Sequence, residues 1–204
     1  MAEDINSIKE KTIMDIVTGS IYSLNFLKNI TEAIFDPRLH SLSVGEVYEQ
    51  WHKMCGYPKG VIPYNFGVIM GSLYCGILLA KEQWFNLLPE DKLEESNSDW
   101  GFSSATYYSP QKPSPTIKYT FRRIRNALGH GNIFFDFPSG IKKNSRDKAD
   151  FEKKLTVKFH DVNPRDANDI FDIEISLLGL LTAIKQFHKI AYIHVTKNNH
   201  LKSI

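Results

Sequence analysis

From Ile5 to Phe35, apolar residues return at helical spacing (Ile5, Ile8, Ile13, Ile16, Ile21, Leu24, Leu27, Ile30 and Ile34), and Asn6 or Ser7 can cap the start. The run predicts one long amphipathic helix, so the fold has to be built around helices. Asp36-Pro37 should end it, because proline disfavours helical geometry in the residue before it and has no amide for the helical ladder. A second start follows at Ser43-Val44-Gly45-Glu46. There a hydroxyl and a carboxylate three residues apart can satisfy each other's orphan amides, which predicts a short helix through Val47 and Trp51 to about Met54. Gly56-Tyr57-Pro58-Lys59-Gly60 then reads as a turn.

The stretch from Val61 to Ala80 carries no charge and contains Gly67-x-x-x-Gly71, a spacing used by membrane helix pairs. Pro63, Tyr64 and Asn65 interrupt its start, leaving about fifteen apolar positions where a membrane span needs roughly 20. The better reading is a core helix packed closely through its glycines, over about Asn65 to Leu88 and ended by Pro89. Residues 89–113 are rich in Ser, Asn, Asp and Pro without a clean period and read as a loop.

Ser114-Pro115 supplies a cap and a first-turn proline, after which Ile117, Phe121, Ile124 and Leu128 mark one apolar stripe. That helix should close at Gly129-His130-Gly131, where glycine can take the left-handed conformation. Ile133 to Phe137 and Leu155 to His160 look like two strands joined by a lysine-rich loop, so residues 132–160 form a hairpin insertion. Asn163-Pro164 opens a last helix through Ile170, Ile173, Leu177, Leu181, Ile184, Phe187 and Ala191 to about Val195, and residues 196–204 form a flexible tail. The expected fold is mainly α: a bundle of about five helices with a small β-hairpin before the last one, as a single domain over residues 1–204.

Composition limits the function classes. At 42% hydrophobic and 24% charged residues the chain is neither disordered nor fibrous. Cys55 and Cys75 lie twenty positions apart, without C-x-x-C spacing, and the N-terminus lacks the basic-then-apolar layout of a secretion signal. A cytoplasmic location with no membrane partner is therefore expected. Net charge is only +2, but Pro110 to His160 holds twelve Lys and Arg against four acids, +8, with the rest of the chain at −6. A basic stretch of that kind can meet phosphates, with Lys142 and Lys143 in its loop as candidate contacts, although such a loop can also be simply solvated.

On a helical wheel, Tyr119, Arg123, Asn126 and His130 fall opposite the apolar stripe, with Arg122 and Arg125 on the flanks. An imidazole can move protons near neutral pH, a guanidinium forks onto phosphate oxygens, and an amide can orient either group. Together they suit phosphodiester cleavage, although three arginines can equally form an ordinary solvated face. RNA brings its own nucleophile, the 2′-hydroxyl, so a base and a cation suffice without a metal.

The run Arg125-Asn126-Ala127-Leu128-Gly129-His130-Gly131, near the end of an amphipathic helix in a helical chain, resembles the R-x(4–6)-H signature of the HEPN superfamily of ribonucleases. An R-x4-H pair alone arises by chance about 0.2 times in such a composition. With Asn after the Arg and Gly after the His, the chance falls below about one in a thousand. The resemblance implies a metal-independent endoribonuclease with no cofactor, acting as a homodimer whose Arg-and-His faces meet in an RNA-binding cleft. His130 would be general base or acid, Arg125 would stabilise the transition state, and Asn126 would orient one of them. Arg122, Arg123, Tyr119, Lys142 and Lys143 would bind substrate. It also implies a toxin or antiviral-defence role, restrained by an antitoxin or other regulatory protein. Some members of the superfamily do no chemistry, so a silent helical dimer that binds RNA or a partner is the alternative.

Other groups carry less. His188 and His194 are six apart and no H-E-x-x-H occurs, so a zinc site has little support. His160 beside Asp161 could join an RNA groove or be an exposed strand-end histidine. Tyr107 and Tyr108 could stack on bases or cover the core.

Overall fold

A computed structural model describes residues 5–56, 63–80, 82–95, 97–136 and 152–200. The fold is mainly helical. The long first helix, α1, runs Ile5–Phe35 and stops where Asp36-Pro37 predicts. Asp36 then caps a 3-10 turn, Pro37–Leu39, by accepting from the Arg38 amide at 3.0 Å. Helix α2, Val44–Cys55, starts on the expected capping box. The Glu46 amide donates to Ser43 Oγ at 3.2 Å, and the Ser43 amide donates to Glu46 Oε2 at 2.7 Å. Caps of this kind stabilise a helix by about 1 kcal/mol. Gly56, at φ 63°, closes α2, and the rest of the expected turn lies outside the described residues.

Helix α3 spans Phe66–Leu78. The chain divides into two compact units, and the division falls inside α3, between Ser72 and Leu73. In the first unit α1 and α3 cross backbone on backbone. A Cβ on Gly67 would sit 2.6 Å from Gly19 Cα, and one on Gly71 would sit 2.8 Å from Ser20 Oγ. The Ser20 hydroxyl uses that approach to donate to the Gly67 carbonyl at 2.8 Å. The expected close packing through Gly67 and Gly71 is therefore present. Trp51 is fully buried beside Phe26, ring centroids 5.3 Å apart.

The second unit holds α4 (Glu82–Phe85), α5 (Asn97–Trp100), β1 (Thr106–Tyr108), α6 (Ile117–Gly129), β2 (Ile133–Asp136), β3 (Thr156–Asn163), β4 (Asp166–Ser176) and α7 (Leu177–His200). Its strands form one antiparallel sheet in the order β1-β4-β3-β2. Residues alternate across it. Val157, Phe159 and Asp161 of β3 and Phe171, Ile173 and Ile175 of β4 are buried on one face, with Lys158, His160, Asp172 and Glu174 on the other. The core is aromatic: Phe187 of α7 meets Phe85 at 5.0 Å and Phe121 of α6 at 5.4 Å. Each such fully buried phenylalanine contributes about 2–3 kcal/mol of transfer free energy.

Five expectations are corrected. The third helix does not reach Leu88: it ends at Leu78, bends at Leu79–Ala80, and the chain restarts as α4. No proline marks that break between Phe66 and Leu88. Residues 89–113 are not all loop, since α5 and β1 lie within them. β1 is three residues long, too short to show an alternation, and exists by pairing with β4. The hairpin is half of a four-stranded sheet. Asn163-Pro164 leads into the β3–β4 turn rather than a helix, and α7 begins only at Leu177. Ile170, Ile173 and Leu177 do fit a helical period, but Phe171, Ile173 and Ile175 fit a period of two. The pairing available from β3 decides between them. Finally, residues 196–200 continue α7 instead of forming a free tail, and residues 201–204 lie outside the described residues. Among the described residues no helix is long and apolar enough to cross a membrane.

Candidate active site

Helix α6 is fixed at both ends. Its N-cap is Thr116, not Ser114: the Tyr119 amide donates to Thr116 Oγ1 at 3.2 Å. At the other end Gly129 remains helical, His130 is the C-cap at φ −93°, ψ 2°, and Gly131 takes the left-handed conformation at φ 65°. The Gly131 amide donates to the Leu128 carbonyl at 3.1 Å, and the Asn132 amide donates to that of Ala127 at 2.8 Å. These two bonds form a Schellman closure. They fix the backbone of His130, whose side chain is exposed at the helix end, just before the chain enters β2.

The wheel reading goes wrong at Arg123. Helix α6 is covered on two sides, by the aromatic core against Phe121 and by the sheet against the opposite flank, so Thr120, Arg123 and Ala127 are buried as well. Arg123 is 6% exposed. Its guanidinium is ion-paired to Asp161, donates to Asp169 Oδ1 at 2.7 Å and to the Asp161 carbonyl at 2.9 Å, and reaches the Tyr119 hydroxyl at 3.2 Å. Burying a guanidinium is tolerated only with partners of this number and charge. Arg123 is therefore a structural cation, and Tyr119, half-buried against Phe171 and Arg123, belongs to its surroundings. Asp169 feels both sides of this arrangement. Burial works to raise its carboxyl, but hydrogen bonds from Asn163 and Arg123 and the Arg123 charge outweigh that and hold it below the ordinary carboxylate value.

Arg122, Arg125 and Asn126 do reach the surface side of α6, each with a partner. Arg125 is ion-paired to Glu82 of α4, and its guanidinium lies over the Phe85 ring, 5.0 Å from the centroid. Arg122 shares the same carboxylate at 3.3 Å and donates to Asn86 Oδ1 at 2.8 Å. The Asn126 amide donates to Asp161 Oδ2 at 3.3 Å, the carboxylate that also pairs with Arg123. Arg125, Asn126 and His130 are thus held within the last two turns of one helix, by Glu82, by Asp161 and by the helix closure respectively.

Sequence reasoning missed Glu82 and the part played by Asp161. Asp161 had a signal: it continues the buried alternation Leu155, Val157, Phe159, and an acid on an apolar strand face calls for a buried cation. Glu82 had none, since its contact with α6 depends on the unforeseen break after α3. His160 points to the other sheet face, with Nδ1 2.6 Å from Asp172 Oδ1. Tyr107 donates to Glu94 at 2.5 Å, which pushes its hydroxyl pKa up to about 12, while Tyr108 is exposed. Lys142 and Lys143 lie outside the described residues. No three His, Cys, Asp or Glu side chains among the described residues converge as a metal site would require.

An arginine, an amide and a terminal histidine on a helix clamped between an aromatic core and a sheet define a helical domain with a polar helix-end site. The chain matches the HEPN pEK499 p136 family over residues 6–198 and belongs to that family. Neither the curated proteins nor the solved structures gave a match.

Proposed function

We propose that the protein is a metal-independent endoribonuclease acting as a homodimer in which Arg125, Asn126 and His130 carry the chemistry. The observation that supports it most is the exposure of His130 on a backbone fixed by the Schellman closure, within two turns of Arg125 and Asn126. In this reading one imidazole takes the proton of the ribose 2′-hydroxyl while the 2′-oxygen attacks phosphorus. The bond from phosphorus to the 5′-oxygen breaks, and that oxygen receives a proton from a general acid. The products are a 2′,3′-cyclic phosphate and a free 5′-hydroxyl. Arg125 stabilises the additional negative charge on the phosphorane, and Asn126 orients a group of the site. Arg122 holds a flanking phosphate, with Lys142 and Lys143 as further contacts. In this reading the role is that of a cytoplasmic toxin or defence effector, with an antitoxin or regulatory protein as a further partner, and membership of a HEPN family supports it.

The pairing of both Arg122 and Arg125 with Glu82 supports a second reading, a silent domain that binds RNA or a partner protein without cleaving. Incubating wild type and His130→Ala with labelled single-stranded RNA in excess EDTA decides between them. Wild-type-only cleavage leaving cyclic phosphate ends is expected. Intact RNA in both lanes, with binding retained, favours the silent reading.

A further inference from the structure

On the sheet face turned away from α6, the side chains are sorted by strand. His160 of β3 stands opposite Asp172 of β4, and Lys158 stands between Phe134 of β2 and Glu174 of β4. His160 Nδ1 lies 2.6 Å from Asp172 Oδ1, and Lys158 Nζ lies 2.9 Å from Glu174 Oε1. The acids thus stand on β4, while the half-buried Phe134 ring stands on β2, the edge strand, with the imidazole between. Phe134 is the diagonal neighbour of His160, a relation that leaves aromatic side chains about 7 Å apart and within reach of one another. The His160 side chain is 42% exposed, so a ligand can meet it.

This corner of the sheet adjoins the end of α6. The His160 amide donates to the Asn132 carbonyl at 3.1 Å, and His130 lies two residues before Asn132. Two residues of chain span at most about 7 Å, and paired strands hold their Cα atoms about 5 Å apart, so the backbones of His130 and His160 lie within about 12 Å.

We propose that His160 and Phe134 form a subsite for one base of single-stranded RNA beside the scissile phosphate, and that the subsite selects adenine or cytosine over guanine or uracil. The proposal rests on the ribonuclease reading of Arg125, Asn126 and His130. Charge decides which part of a nucleotide fits here. Lys158 is outnumbered by Asp172, Glu174 and Asp136, so the corner repels phosphate and takes the uncharged base. Phe134 offers a ring for stacking, which any base accepts. His160 supplies the discrimination. An imidazole that faces a carboxylate through Nδ1 carries its proton there, so the neutral ring presents Nε2 as an acceptor, turned away from Asp172. An acceptor pairs with the amino group that adenine and cytosine carry where guanine and uracil carry a carbonyl oxygen.

The test uses oligonucleotides with a single cleavable ribonucleotide, in which each base flanking the scissile phosphate is in turn adenine or purine, which lacks only the amino group. Wild type is expected to lose about tenfold in kcat/KM on replacing adenine by purine at one of the two flanks. In His160→Ala, checked for folding by circular dichroism, that ratio should fall to about one. Phe134→Ala should lower kcat/KM for both substrates and keep the ratio. A wild type that cuts adenine and purine substrates equally at both flanks overturns the inference, as does a His160→Ala variant that keeps the preference. A wild type that cuts no RNA overturns the ribonuclease reading and this inference together, so the two failures are told apart.

Discussion

The side-chain amide of Asn126 donates to the carboxylate of Asp161, 3.3 Å away, and that carboxylate is itself paired with the buried Arg123. One aspartate, 2% exposed, thus ties the polar end of α6 to the cation that anchors the helix to the sheet. Asn126→Ala is expected to lower RNA cleavage by about tenfold to a hundredfold with little change in melting temperature, as loss of a group that sets an active-site partner does. Single-turnover cleavage beside a thermal melt checks it.

Arg123 and Arg125 are two residues apart and should respond oppositely. Arg123→Ala leaves the buried Asp161 and the part-buried Asp169 without their cation and should cost about 3–5 kcal/mol of stability. Arg125→Ala removes a part-exposed ion pair and should leave folding within about 1 kcal/mol of wild type while abolishing cleavage. Urea unfolding of both variants separates them.

Glu82 neutralises Arg122 and Arg125 together. Glu82→Gln should tighten RNA binding by about threefold to tenfold at low salt and steepen its salt dependence, because both guanidinium groups are released to phosphates. Fluorescence anisotropy in a His130→Ala background, where no cleavage is expected, reads binding alone.

Gly131 sits at φ 65°, where a Cβ costs about 1–2 kcal/mol. Gly131→Ala should lower the melting temperature and, by shifting the closure that sets His130, reduce cleavage more than its stability loss explains. Activity measured well below the melting temperature distinguishes the two effects.

Asp169 has a folded pKa below its ordinary value of 3.8. A depressed carboxyl contributes stability that is complete above the unfolded pKa and is lost as pH falls through the folded one. The stability gap between wild type and Asp169→Asn should therefore be constant at neutral pH and shrink below about pH 4. Melts from pH 7 to pH 3 test this.

Much of the fold was legible because its signals are local. The α1 period ended at Asp36-Pro37, Ser43 and Glu46 made their box, and a glycine closed α6. What escaped was set by distant partners. Residues 166–176 satisfy helix and strand periods alike, and only pairing with β3 makes them a strand. At the site, the motif and its place at a helix end were readable, but the wheel gave Arg123 to solvent. A wheel ranks faces by polarity and has no means of showing that a sheet carrying Asp161 and Asp169 waits on the polar side.

The carboxylate that holds Asn126 is made 35 residues after it. During synthesis the whole Arg-to-His run therefore emerges ahead of β3, the strand that docks it, and Arg123 cannot be buried until both of its acids have followed. A growing chain, surrounded by messenger and ribosomal RNA, carries the motif in an unset form. The helix end acquires its final geometry only once the hairpin has paired in register, which couples the maturation of the site to completion of the sheet.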